Sequence, residues 1–188
     1  MLKIFEIPKN AGNTARFLNS SFIGPKTIDV LIIRNPHERF WSATKTVINE
    51  ISIFGSFPFE ENISMRTSYV GLEFNVEDVI NKSLTMLNNT DYYIHLKPQS
   101  EFIGDKKFDE IIYFENLNDE MEKLIEKYDV QTIENFSFGR KLTESPKERD
   151  EDAMNYILNT PSIKEKLDTF YKSDFILYNN TSSLKKTI

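Results

Sequence analysis

Cysteine is absent from all 188 residues, which excludes disulfides, thiolate metal sites and thiol nucleophiles. Long apolar runs are missing as well. No stretch approaches the eighteen or so consecutive apolar residues of a membrane span. Basic charge is in deficit, with 23 Lys and Arg against 29 Asp and Glu and a net charge of −6. That balance argues against nucleic acid or a heavily sulfated polymer as the main partner, because both call for a strong basic field. Histidine is scarce, so imidazole chemistry rests on His37 and His95 alone. The chain enters a strand-like segment almost at its first residue, leaving no room for a signal peptide. The expectation is a cytoplasmic protein without a membrane anchor.

What is present is globular in character. Hydrophobic residues make up 39% and aromatics 13%, enough to build a packed core. The length fits one domain, 1–188, with a single sizeable core. Residues 2–7 are strand-like, and 14–20 suit a short helix. "TIDVLIIRN" carries a continuous apolar run, Val30 to Ile33, as expected of a strand buried on both faces of a parallel sheet. "NPHERFWSATKTVINEI" predicts a helix in which Asn35 caps, Pro36 takes the first helical position and Glu38 falls where a capping box places a carboxylate. Phe40, Thr44, Val47, Ile48 and Ile51 then share a face at helical spacing. Residues 52–74 read as irregular and aromatic, and 75–88 as helical. Ile111 to Phe114 predict another buried strand, followed by a helix at 118–128. Two further helices are expected at 148–159 and 162–172. Strands alternating with helices imply an α/β sandwich of three layers around a mainly parallel sheet.

The first strand runs into "PKNAGNT". In parallel α/β sheets the first strand–helix turn is the usual phosphate position. Backbone amides of Asn10, Ala11, Gly12, Asn13 and Thr14 would point into that turn, at the positive end of the next helix. Gly12 lets backbone approach an anion closely. Lys9 stands at the mouth of the loop, before Gly12, whereas the kinase phosphate loop G-x-x-x-x-G-K-[ST] places its lysine late. The competing reading is an ordinary surface turn with an exposed lysine.

A second constellation follows the second strand. In "RNPHERFWSA", Arg34 ends the buried strand and Ser42 lies eight residues on, about 12 Å of helix. A long guanidinium side chain lying back over the helix start can grip one phosphate together with the serine hydroxyl. Taken singly, Arg34 is a strand-end charge and Ser42 a small packing residue. As a pair they suggest a second anion position beside the first. Two such positions suit a nucleotide phosphorylated at both ends of its ribose.

These segments resemble the PAPS-dependent sulfotransferases, in their carbohydrate-type branch. "PKNAGNT" is similar to the family's 5′-phosphosulfate loop, and "RNPHERFWSA" to its 3′-phosphate motif. "HLKPQSEFIG" resembles a His-x-x-Pro-Gln segment of that branch. "DEIIYFENLNDEMEKL" resembles the strand and Glu-Asn-Leu turn after it, and "FYKSDFILY" the C-terminal helix with its aspartate and aromatics. The matches keep the family's order across nearly the whole chain. The resemblance implies a P-loop NTPase-like sulfotransferase fold and a donor, 3′-phosphoadenosine 5′-phosphosulfate (PAPS), that leaves as adenosine 3′,5′-bisphosphate (PAP), with no metal. It implies that Lys9 reaches the bridging and sulfuryl oxygens, that the loop amides cradle the 5′-phosphate, and that Arg34 and Ser42 hold the 3′-phosphate. "FGRKLTESPKER" is the candidate for the loop that completes the nucleotide pocket, through Arg140 and Lys141. A solvated charged loop is the competing reading there.

The chain departs from that pattern in one respect. Thr14 and Arg34 are twenty residues apart, whereas most members of that family place between these motifs a long stretch, usually with an extra strand that carries the catalytic histidine or glutamate. His95 is the candidate base, against an ordinary hydrogen-bonded structural histidine. His37 reads as a cap-turn residue, and Glu60 and Glu61 are the third option. Three functions follow: a sulfotransferase acting on the hydroxyl of a glycan, small molecule or peptide; a non-catalytic PAP- or PAPS-binding relative without its base; and a nucleotide kinase, disfavoured because no G-x-x-x-x-G-K-[ST] occurs.

Overall fold

A computed structural model describes residues 1–8, 22–23, 26–54, 75–90, 93–132 and 147–184. The chain gathers into two compact units, each assembled from segments distant in sequence. The first comprises Met1–Pro36, Pro98–Arg140 and Tyr171–Ile188, the second His37–Lys97 and Lys141–Phe170.

The first unit is α/β. Strands β1 (Leu2–Phe5), β3 (Ile28–Ile33) and β4 (Glu110–Tyr113) form a parallel sheet in the order β1-β3-β4. Phe5 pairs with Leu31, and Ile33 with Tyr113. A separate antiparallel pair joins β2 (Phe22–Ile23) to β5 (Gln131–Thr132). The apolar run of β3 is buried on both faces, as its composition predicts. Alternation divides it: Val30 and Ile32 pack with Ile4, Ile112, Met121 and Leu124, while Leu31 and Ile33 pack with Ile7, Ile103 and Phe108. Met121 and Leu124 belong to α4 (Leu117–Lys127), which covers the first face. Ile103 ends the short helix α3 (Gln99–Ile103) on the other, where α3 contacts α7 (Lys172–Asn179). Each such aliphatic side chain contributes roughly 1.5–3 kcal/mol over leaving it in water.

The second unit is helical. The long helix α1 (Pro36–Phe54) begins at the expected proline and runs three residues beyond the expected Ile51. Its first two turns are buried more widely than an amphipathic stripe, taking in His37, Arg39, Phe40, Trp41, Ala43 and Thr44. Helix α2 (Val76–Met86) is capped by Asn75, whose Oδ1 accepts from the amides of Glu77 at 2.8 Å and Asp78 at 3.3 Å. It packs on α5 (Lys147–Asn159), and α5 packs on α6 (Pro161–Phe170). One residue, Thr160, joins those two helices, and its carbonyl accepts from Ile163 and Lys164 at 3.0 Å each. Pro161 then occupies a first-turn position where a missing amide costs nothing.

Two expectations need correction. The helix expected at 162–172 ends at Phe170, and a separate helix begins at Lys172. Tyr171 breaks the run with φ −95° and ψ 22°, its side chain fully buried. The strand expected over 2–7 stops at Phe5. The helix expected at 14–20 lies outside the described residues. No helix of the described residues is long and apolar enough to cross a membrane.

Candidate functional site at the carboxyl end of the parallel sheet

Parallel pairing sends β1, β3 and β4 out at the same edge. In open α/β sheets that edge is where ligands bind. Arg34 is the first residue beyond β3, and Phe114 and Glu115 are the first beyond β4. The Arg34 guanidinium carbon lies 4.2 Å from the centre of the Phe114 ring, a cation–π arrangement. The neighbouring Asn35 amide donates to Glu115 Oε1 at 2.7 Å. The turn after β4 thus holds the turn after β3 by side chain and by backbone.

A third element reaches the same residue. Gln99, fully buried, donates from Nε2 to the Arg34 carbonyl at 2.9 Å and accepts from the Arg34 amide at Oε1, 3.3 Å. A primary amide carries donor and acceptor side by side, so it serves Arg34 as an adjacent strand would. Gln99 opens α3, preceded by Pro98, which has no side chain able to cap. The cap comes from Asp174 of α7. Its two carboxylate oxygens accept from the amides of Gln99 and Ser100, each at 2.8 Å. Asp174 is itself fully buried.

The other expected site residues are placed as follows. Ser42 is half-buried in the second turn of α1, and its carbonyl accepts from Thr46 Oγ1 at 3.3 Å. His95 is half-buried in a 3₁₀ turn, Ile94–Leu96. Lys9, Asn10, Ala11, Gly12, Asn13, Thr14, Glu60, Glu61, Arg140 and Lys141 lie outside the described residues.

His37 departs from its reading as a plain cap-turn residue. It is buried, and its Nε2 lies 2.8 Å from Asp168 Oδ1 on α6. Lys164, one turn earlier on α6, binds the other oxygen of the same carboxylate. Burial pushes the His37 pKa below its ordinary value, against the raising influence of Asp168. Burial also opposes ionisation of Asp168, but hydrogen bonds from Lys164 and His37 outweigh it and hold the carboxyl below the usual range. The consistent state is an ionised Asp168 paired with charged Lys164, accepting a proton-bearing Nε2 from neutral His37.

Sequence reasoning singled out the segments holding Gln99, Phe114, Glu115 and Asp174 without assigning these side chains. The available signals were a Pro-Gln pair opening a short apolar helix and a lone aspartate inside "DFILY". Asp168 gave no signal. No protein-family model, curated protein or solved structure matches the chain.

Proposed function

We propose that the chain is a PAPS-dependent sulfotransferase of carbohydrate type, built on a three-layer P-loop-like fold and acting in the cytoplasm. An acceptor hydroxyl oxygen attacks the sulfur of PAPS. The bond from sulfur to the 5′-phosphate oxygen breaks, and its electron pair leaves on PAP. The acceptor proton passes to a base, with His95 as the candidate. Lys9 would meet the charge that develops on the departing oxygen, favouring the transition state over the ground state. Lysine and loop amides would thereby take the part that magnesium plays in kinases. The amides of Asn10 to Thr14 would hold the 5′-phosphate, Arg34 and Ser42 the 3′-phosphate, and Arg140 and Lys141 would close the nucleotide pocket.

The observation that carries this reading is the placement of Arg34. It stands at the carboxyl end of the central parallel strand, with its backbone bonded to Gln99 and its guanidinium over Phe114. That is where a phosphate-binding arginine is useful, and β1, which leads into "PKNAGNT", runs parallel beside it. The acceptor is a glycan, a small hydroxyl compound or a peptide, with the aromatic segment 52–74 as its proposed wall; residues 52–54 close α1, and 55–74 lie outside the described residues. The short spacing from Thr14 to Arg34 favours, as a second reading, a PAP-binding relative without a base.

Thermal melting tests the donor class. PAP at about a hundred times its dissociation constant should add roughly 2.7 kcal/mol, or about 5–11 °C for a chain of this size. ATP with magnesium should add much less. Greater stabilisation by ATP–magnesium would replace the sulfotransferase reading with a kinase.

A further inference from the structure

The polar side chains buried at the carboxyl end of the sheet form a chain of dependence. Asp174 ties down two amides at the start of α3, which fixes Gln99. Gln99 closes a two-point ring on the backbone of Arg34. Arg34 carries its charge over Phe114, and Glu115 holds the amide of the next residue. Gln99 and Asp174 are each fully buried. The bond between Asp174 and the Gln99 amide is buried, those from Gln99 to Arg34 and from Ser100 to Asp174 are part-buried, and the Glu115 contact is exposed, so loss of Asp174 or Gln99 strands polar groups partly or wholly out of water, where that is costly.

This arrangement does more than an ordinary strand end requires. Water or ordinary turn backbone would satisfy the Arg34 amide and carbonyl one at a time. The Gln99 amide fixes both the position and the direction of the Arg34 peptide, and hence the starting point of its side chain. An arginine serving only as a solvated surface charge gains nothing from that. One that must meet an anion does, because a pre-set guanidinium forfeits less freedom when it binds.

We propose that Gln99 and Asp174 are positioning residues for Arg34: Gln99 holds its backbone, Asp174 holds Gln99, and together they set the guanidinium for an anionic ligand. The assignment of that anion as the 3′-phosphate of PAP or PAPS rests on the sulfotransferase reading. Neither residue touches the ligand or the reacting atoms. Their influence is on affinity through Arg34.

Gln99→Met keeps the length and approximate volume of the side chain and removes both hydrogen bonds. The first measurement uses the protein without ligand: hydrogen exchange at Arg34 Nε, followed by NMR and identified as the signal missing from Arg34→Lys. Arg34 Nε is buried, so its exchange should be slow in the natural sequence and at least tenfold faster in Gln99→Met. The second measurement is calorimetric binding of PAP. Gln99→Met should weaken it about tenfold, and Asp174→Asn less, since an amide keeps one of the two acceptors. In an Arg34→Ala background Gln99→Met should cause no further loss, because its effect passes through Arg34. A purely structural effect would instead add in full. Gln99→Glu should recover slow exchange and PAP binding as pH falls through the titration of the introduced carboxyl, relative to the natural protein at each pH, because a protonated carboxyl can reproduce both hydrogen bonds and a carboxylate only one. This variant also covers the case in which Gln99→Met does not fold. Unchanged exchange and affinity in Gln99→Met, or full additivity with Arg34→Ala, overturns the positioning role. Faster exchange in a protein whose natural sequence never binds PAP upholds the positioning role and removes the sulfotransferase reading instead.

Discussion

His37 and Asp168 are 131 positions apart in the chain, yet Nε2 of one lies 2.8 Å from Oδ1 of the other. The histidine is buried and held neutral, which makes this contact a source of pH-dependent stability. Unfolded histidine titrates near 6.5, and folded His37 titrates lower. Between those values the unfolded chain binds more protons, so folding stability rises with pH through the window and is lost as pH falls through it. Asp168 adds a second loss at lower pH, as the solution passes through its own depressed value. Urea unfolding of the natural protein and His37→Gln at pH 5 and pH 7.5 checks this. The difference in midpoint between the two pH values should shrink in the variant, and equal differences would refute the assignment.

Arg34→Ala and Lys9→Ala should fail differently. Loss of the guanidinium should weaken PAP binding by roughly 1.5–3 kcal/mol, the usual contribution of a charged hydrogen bond. Loss of the lysine should lower turnover more than PAP affinity, because its proposed main partner, the sulfuryl group, has already left the product. Calorimetry with PAP and initial rates with PAPS separate the two, and equal affinity losses would make Lys9 just another phosphate ligand.

If His95 is the base, it accepts the acceptor's proton only when neutral. The rate at saturating PAPS should climb with pH as the imidazole loses its proton. His95→Gln should remove that climb and lower turnover on the order of a hundredfold, with PAP binding retained. A flat profile in the natural protein points instead to Glu60, Glu61 or an acceptor reactive without help. Tight PAP binding with no turnover on any acceptor selects the non-catalytic relative.

Ile32→Ala should cost about 2–5 kcal/mol, because the side chain is fully buried in the central strand and its neighbours cannot close the gap. Asn75→Ala should cost nearer 1 kcal/mol, through the lost cap of α2. Chemical denaturation measures both, and a reversed ranking would show that the sheet interior repacks freely.

The parts of the fold legible in sequence were those written in neighbouring residues. Val30 to Ile33 announce a buried strand by composition, and Pro36 announces the start of α1. The break at Tyr171 escaped because neither glycine nor proline marks it; burial of an aromatic side chain accompanies the departure from helical backbone. Arg34 was identifiable as a strand-end arginine before a helix. Its partners were not, since Gln99 meets it across 65 positions and Asp174 meets Gln99 across 75. Isolated polar residues carry no period, so their pairing is decided by topology that local patterns do not encode. His37 and Asp168 were missed for the same reason.

Those long separations have a consequence for biosynthesis. Closing wide loops is slow and carries an entropic cost, and the Asp174 cap on α3 does not exist until residue 174 has been made. A growing chain can form the pairing of β1 with β3 much earlier, with the Arg34 turn still lacking its distal support. Completion of the network around Arg34 is therefore a late event in translation, and a ribosome stalled before residue 174 would present an arginine whose anchoring is incomplete.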